Sequence, residues 1–355
     1  MLKKYCIIEK NFKENHAGSK ARIDIGKIMQ DAGWQPVCVH QSREKGLFDK
    51  IRMCFVTLAD WFGVARKVKG RSCLLIQYPL ATYHKVNILA LPFIRYLNKI
   101  KNVRVIYLIH DLDSIRFQEY AGLMRKIERD FFKNADALIS HNQAMSQILK
   151  TYNIDTYITE LGIFDYIIAP NNVPNLQSQL KNVIVVAGSM HYKKAGYVYK
   201  IPGVSRELEY HIYGPNYTPE KKCSRIVYQG EFSADELPAH LKGQFGLIWD
   251  GSSVNTCEGN FGEYLRYNNP HKISLYLACG LPVIIWEKAA LAKFVKENNV
   301  GLLISSLNEL EETVNSVSND EYEIMKQNAI SLSEKIRNGG HTLEAVERCL
   351  RIIYE

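Results

Sequence analysis

The segment Tyr267-Asn268-Asn269-Pro270-His271-Lys272-Ile273-Ser274 combines residue types that can hold an anion. Asn269 is a favoured N-cap, and Pro270 suits the first helical turn, where a missing N–H costs nothing. A helix starting here points the backbone N–H groups of His271 and Lys272 outward, with the positive end of its dipole behind them. A Lys and a His at that end are unfavourable for the helix itself, because they add like charge. An anion such as a diphosphate in front of them would remove the misfit. Tyr276, one turn on, is grouped with this candidate site. The competing reading is a solvated lysine on a surface helix.

Other candidates lie where apolar runs end. Val105–Ile109 runs into His110-Asp111, which should emerge at the carboxyl end of a buried strand. Asp111 there is either a general base or, with Asp113, a cap for the next helix. Val183–Ala187 ends at Gly188-Ser189, where a small residue lets backbone approach a phosphate. Lys193 and Lys194 lie just beyond, either as counter-charges or as ordinary surface lysines. Tyr213-Gly214-Pro215-Asn216, Gln229-Gly230-Glu231 and Trp249-Asp250-Gly251 close three further runs, as ligand-facing loops or plain turns. His16-Ala17-Gly18-Ser19-Lys20-Ala21-Arg22 opens a helix, with Ser19 able to donate a hydrogen bond. It has neither G-x-G-x-x-G spacing nor a G-K-[ST] ending, so NAD and ATP sites are not indicated.

The elements that must position these residues alternate regularly. Strands are expected at Tyr5–Ile8, Pro36–His40, Cys73–Tyr78, Val103–His110, Ala137–Ser140 and Tyr157–Leu161. Helices are expected between them at Lys20–Ala32, Asp49–Val68, Lys85–Ile100, Leu123–Lys133 and Gln143–Tyr152. Apolar runs without alternation are typical of strands buried on both faces of a parallel sheet. Ala169–Leu180, rich in Asn and Pro, reads as a linker. Strands then resume at Val183–Ala187, Glu209–Tyr213, Ile226–Gln229, Gly246–Trp249, Pro282–Ile285 and Gly301–Ile304. Further helices are expected at His271–Cys279, Ala289–Glu297, Glu321–Arg337 and Thr342–Tyr354. The expected fold is α/β, with two Rossmann-like domains facing a ligand cleft. Their limits are 1–168, linker 169–180, 181–338, and a C-terminal crossover helix 339–355.

A chain of 355 residues exceeds one compact core. The formal net charge of +8 is concentrated in the first half, while the second half is slightly acidic. The eight cysteines form no C-x-x-C pair, and the ten histidines are dispersed, so no metal site is expected. Met1–Ile8 lacks the features of a signal peptide, and Asn87–Ile94 falls far short of the ~20 residues a membrane span needs. A reducing, cytoplasmic location is the expectation. Trp61-Phe62 beside Arg66, Lys67, Lys69 and Arg71 suits either contact with anionic lipid or a solvated helix end with core aromatics. No nucleic-acid recognition module is present.

Gly262–Ile285, containing Leu-Ala-Cys-Gly-Leu-Pro-Val-Ile-Ile, resembles the donor-binding half of GT-B glycosyltransferases. More narrowly, Glu263–Lys272 and Trp286-Glu287-Lys288-Ala289-Ala290 are similar to bacterial β-1,6-galactofuranosyltransferases and the related adhesin-glycan glucosyltransferases. Ala17–Arg22 and His110-Asp111 match the same group, so the resemblance covers most of the chain. It implies a UDP-hexose donor, with galactofuranose leading, and no metal cofactor. It also implies a glycan or lipid-linked saccharide acceptor, in polysaccharide or O-antigen assembly; peripheral contact at the cytoplasmic membrane face is left open by the Trp61–Arg71 run alone. Gly188, Ser189, Lys193, Lys194, Tyr213, Gly214, Asp250, Asn269, Pro270, His271, Lys272 and Tyr276 would bind donor in the second domain, with Ser19 closing over the diphosphate. Lys20 and Arg22 would face the acceptor, and Asp111, with His110 as second choice, would be the base.

One departure bears on stereochemistry. Many retaining members of the fold carry two glutamates eight positions apart, where Tyr267 and Leu275 stand here. Their absence is compatible with inversion by direct displacement. A glucosyltransferase acting on glycosylated adhesin protein is the alternative within the class. A non-catalytic sugar-nucleotide-binding subunit is the alternative outside it, and an oligomer is compatible with either.

Overall fold

Short runs of Val, Ile, Leu and Tyr without polar alternation can be buried only between two layers of helix, and they form parallel strands here. The computed structural model describes residues 2–10, 17–40, 46–80, 84–174, 180–219 and 223–355. Two compact units emerge: residues up to Leu161 together with Thr342–Glu355, and Gly162–His341. The first holds β1 (Lys4–Lys10), β2 (Gln35–His40), β3 (Cys73–Tyr78), β4 (Arg104–Ile109), β5 (Ala137–Ser140) and β6 (Tyr157–Glu160). Their order in the sheet is β2-β1-β3-β4-β5-β6. The second holds β7 (Val183–Ala187), β8 (Glu209–Tyr213), β9 (Ile226–Gly230), β10 (Phe245–Ile248), β11 (Val283–Trp286) and β12 (Gly301–Ile304). These are ordered β12-β11-β10-β7-β8-β9. Each strand pairs in parallel with its neighbours.

The expected strands all form, with ends shifted by a residue or two. β3 and β7 are buried at every position. The unit boundary differs from expectation. The chain changes unit after Leu161 rather than after 168, because Ile163, Tyr166 and Ile168 bury themselves in the second unit's core. The segment expected as a linker, 169–180, therefore begins inside the second unit, and its residues 175–179 lie outside those described. The last helix, Gly340–Tyr354, belongs from Thr342 onward to the first unit. Arg348 fastens it there, donating from Nε to Thr159 Oγ1 at 2.9 Å and from Nη2 to the Glu160 carbonyl at 2.6 Å.

The expected helix Lys85–Ile100 is broken into α-helix His84–Asn87, a 3₁₀ turn, α-helix Leu91–Arg95 and a π-turn Tyr96–Ile100. Pro92 accounts for one break, since it cannot donate to the preceding turn. The eight cysteines are free thiols.

Each sheet reverses its winding at one point, between β1 and β3 in the first unit and between β7 and β10 in the second. Such a reversal leaves a crevice outside the carboxyl ends of the two strands. The β7–β10 ladder ends early, pairing only Ile184 with Phe245 and Val185 with Gly246. Beyond it the Ala187 N–H donates to the hydroxyl of Tyr276, at 2.7 Å. That hydroxyl donates in turn to the Val185 carbonyl, at 3.3 Å. Tyr276 thus fills the split between the strands. Removing the hydroxyl in Tyr276→Phe leaves a buried N–H unpaired and should lower stability by about 1–3 kcal/mol. A denaturant titration reads this directly, and an unchanged midpoint would show that the hydroxyl carries no structural role.

Candidate active site

The second unit's crevice is framed by the loops after β7 and β10. The Gly251 N–H donates to the Lys194 carbonyl at 2.7 Å, and the Tyr197 N–H donates to the Gly251 carbonyl at 3.2 Å, so the two loops are stitched together. Gly188 (φ +129°) and Gly214 (φ +128°) occupy backbone conformations that favour glycine. A Cβ on Gly214 would lie 2.1 Å from the Gly188 carbonyl oxygen, so the ends of β7 and β8 approach as closely as backbone allows. At Gly188 the space beside the backbone is open.

Lys272 points to this place. Its Nζ donates to Asp250 Oδ1 at 2.7 Å and to the Trp249 carbonyl at 3.2 Å, immediately beyond β10. Its side chain is 12% exposed and that of Asp250 9%. The helix that carries it, His271–Ala278, begins at the residue expected, but its cap is displaced by one. Pro270 is the N-cap and makes no side-chain capping bond. Asn269 is not the cap: it is buried, and its Nδ2 donates to the Gly162 carbonyl at 3.0 Å. This amide fixes the entry of the helix. His271 packs its ring against Phe164, with 4.4 Å between centroids.

The remaining donor candidates divide into two groups. Ser189 Oγ, on the loop beyond β7, accepts from Asn216 Nδ2 at 3.0 Å, and Lys193 is exposed on the short helix Tyr192–Ala195 that follows. Lys194 is half-buried, with Nζ 5.9 Å from the centre of the Phe261 ring. Tyr213 and Tyr276, by contrast, turn into the core. Tyr213 is 1% exposed and Tyr276 fully buried, and burial raises both phenols, Tyr213 to about 12. Tyr213 donates to the His240 carbonyl at 3.0 Å. Their expected contact with a donor is therefore corrected: both hold the floor of the site.

In the first unit the carboxyl ends of β1, β3 and β4 meet in a polar chain. Arg22 donates from Nη1 to Glu9 Oε1 at 3.1 Å and from Nη2 to the Pro79 carbonyl, bracing β1 against β3. Gln77 Nε2 donates to the Arg22 carbonyl at 3.2 Å, and its Oε1 lies 2.7 Å from His110 Nε2. A carbonyl only accepts, so the amide's orientation is set, and His110 must donate from Nε2. His141 lies beneath, with Nε2 donating to the Ile109 carbonyl at 3.0 Å; burial pushes its imidazole down to about 3 and keeps it neutral.

Asp111 is half-buried, with Arg116 Nη1 3.1 Å from its Oδ2. Neither Asp111 nor Asp113 stands at the cap position of the next helix, which is Leu112. The Ser114 N–H is taken by Glu128 Oε1 at 2.9 Å. Ser19 is buried. Lys20 is buried in an ion pair with Asp24. Lys20 and Arg22 therefore spend their charge inside the unit, which corrects their expected role as acceptor-facing cations. His16 lies outside the described residues.

Two features carry no local sequence signal. Gln77 and Glu9 join the site only through strand order. Tyr192, Tyr199, Tyr217 and Tyr228 form a row of neighbouring rings 5.2–6.3 Å apart around the ends of β7, β8 and β9. Their shared position in or just beyond consecutive strands was the available clue.

Comparison with known proteins places these features in context. The Glucosyltransferase 3-like N-terminal domain matches residues 4–163, and the Glucosyltransferase 3-like C-terminal domain matches 184–349. The β-1,6-galactofuranosyltransferase WbbI of Escherichia coli (strain K12) is 30% identical, covering 98% of each chain. Glucosyltransferase 3 of Streptococcus gordonii is 27% identical over 68% of this chain and 69% of its own. Among solved structures, sucrose-phosphate synthase of Thermosynechococcus elongatus superposes with a TM-score of 0.64 at 12% identity, covering 99% of this chain and 100% of its own. An alpha-glucosyltransferase in complex with UDP gives 0.62 at 13% identity, with the same coverage. Both share the two-unit GT-B architecture.

Proposed function

The chain belongs to the Glucosyltransferase 3-like family of glycosyltransferases, and from that premise we propose that it transfers a hexosyl group from a UDP-sugar to a glycan or lipid-linked saccharide. Galactofuranose is the favoured sugar, because the relative matched end to end at 30% identity is a β-1,6-galactofuranosyltransferase. The site observation that carries the reading is Lys272, aimed at the end of β10 where the sheet reverses. A diphosphate arriving there meets the Lys272 ammonium, the positive end of the helix His271–Ala278 and the exposed backbone at Gly188.

The reaction is a direct displacement. The acceptor hydroxyl attacks the anomeric carbon and its proton passes to Asp111 or, failing that, His110. The bond from that carbon to the diphosphate oxygen breaks, and UDP departs with the electron pair. Lys272, the helix start and Lys193 or Lys194 stabilise the charge on the leaving group without a metal.

Thermal shift against a panel of UDP-sugars, with and without EDTA, tests the donor side. UDP-galactofuranose or UDP alone should raise the melting temperature equally in both conditions, and a shift that vanishes in EDTA would overturn the metal-free mechanism. Transfer to an adhesin glycan from UDP-glucose is the second reading, favoured by the Glucosyltransferase 3 relatives. Donor hydrolysis measured with both sugars separates the two. Binding of UDP with no turnover of any donor would instead leave a sugar-nucleotide-binding subunit.

A further inference from the structure

The helix Leu47–Lys67 has two apolar faces where one would suffice. Met53, Thr57, Trp61, Val64 and Ala65 are buried against the unit. A second stripe, Phe48, Ile51, Phe55, Leu58 and Phe62, recurs at alternating three- and four-residue steps and therefore lies along one side. These residues are exposed, Phe48 by 88%, Phe55 by 70% and Phe62 by 57%. Three phenylalanines in solvent along one helix exceed the scattered apolar exposure of an ordinary surface. Trp61, which the sequence leaves open as either a lipid-contacting or a core aromatic, is 2% exposed and part of the core.

The charge around the stripe says what covers it. Residues 61–110 contain nine Lys and Arg and no Asp or Glu. Arg66, Lys67 and Lys69 are exposed at the helix's end. The helix's two acidic residues are met by neighbouring bases: Asp49 by Arg52 at 3.9 Å, and Asp60 by His40 at 2.9 Å. The broken helical segment 84–100 packs alongside and adds exposed Ile88, Tyr96 and Ile100, with Arg95 and Lys99 among them. A second copy of the chain, docked face to face through the same stripe, would bring this basic border against itself. An anionic surface would not.

We propose that this face seats the first unit on an anionic lipid surface, with the Phe48–Phe62 stripe entering the headgroup boundary and the basic border meeting lipid charge. Among the described residues no helix is long and apolar enough to cross a membrane, so the contact is interfacial. The proposal stands independently of which sugar is transferred.

Co-sedimentation with vesicles of phosphatidylcholine plus phosphatidylglycerol, against phosphatidylcholine alone, decides it. Binding should be confined to the anionic vesicles and fall with added salt. The variant Phe48→Ser/Phe55→Ser/Phe62→Ser should lose it while keeping its melting temperature and its hydrolysis of soluble donor. Arg66→Glu/Lys69→Glu, which leaves the stripe intact, should weaken binding by about tenfold or more, and it decides the matter if the first variant misfolds. Equal binding to both vesicles, or to neither, overturns the proposal. A dimer that the phenylalanine substitutions dissociate, with no vesicle binding, assigns the face to a second copy and overturns it as well.

Discussion

Lys272→Met lowers UDP affinity by roughly 10- to 100-fold, the loss expected when a charge-assisted contact to phosphate is removed. It also lowers stability, for a separate reason. Asp250 is almost buried, and the Lys272 ammonium lies 2.7 Å away as its cationic partner. Deleting one member of a buried pair costs about 3–5 kcal/mol, because the other is left uncompensated. Asp250→Asn alone should do the opposite to affinity: freed from its carboxylate, Lys272 turns fully to the diphosphate. The double variant Lys272→Met/Asp250→Asn separates the effects. With both charges gone, the melting temperature should recover most of the single variant's loss, while UDP affinity stays low. Isothermal titration beside thermal denaturation gives both quantities. If the double variant binds UDP as the parent does, the Lys272–Asp250 pair is only a structural tie and the diphosphate site lies elsewhere.

Strand positions were legible because burial on both faces leaves a local mark. Cys73–Tyr78 and Val183–Ala187 are unbroken apolar runs, and a strand inside a parallel sheet has no other composition open to it. The side-chain partners of the site leave no such mark. Lys272 and Asp250 meet across a separation of 22 residues, because the helix His271–Ala278 packs against β10. Tyr276 read as a ligand-facing residue because a tyrosine one turn beyond a lysine falls on the same helical side. That helix, however, is buried on every side from Ile273 to Ala278, so shared side does not mean shared solvent. The same limit explains Lys20 and Arg22. Basic residues at a helix start look available in sequence, and Asp24, Glu9 and the Pro79 carbonyl claim them only once β1, the helix and β3 are assembled. Asn269 lost the cap to Pro270 because its amide had a buried carbonyl, that of Gly162, to satisfy.

Asp111→Asn lowers kcat by about 10²- to 10⁴-fold, the range over which a positioned base contributes, and leaves the Kd for UDP within about twofold, since the residues proposed to bind the donor lie in the other unit. The asparagine keeps the size of the side chain and a hydrogen bond from Arg116, 3.1 Å from the native carboxylate, so a loss of turnover reports the missing proton acceptor rather than a collapsed loop. His110 is the competing base, and its surroundings distinguish it. With Nε2–H held on Gln77 Oε1 at 2.7 Å, a neutral ring carries its lone pair on Nδ1. His110→Asn should then cost far less than Asp111→Asn if the carboxylate takes the proton, and at least as much if the imidazole does. The pH dependence gives an independent reading. The acidic limb of kcat/KM, where the base becomes protonated, should disappear in Asp111→Asn and persist in His110→Asn. A limb that survives Asp111→Asn with most of the turnover intact would remove Asp111 from the chemistry and pass the role to the histidine beside it.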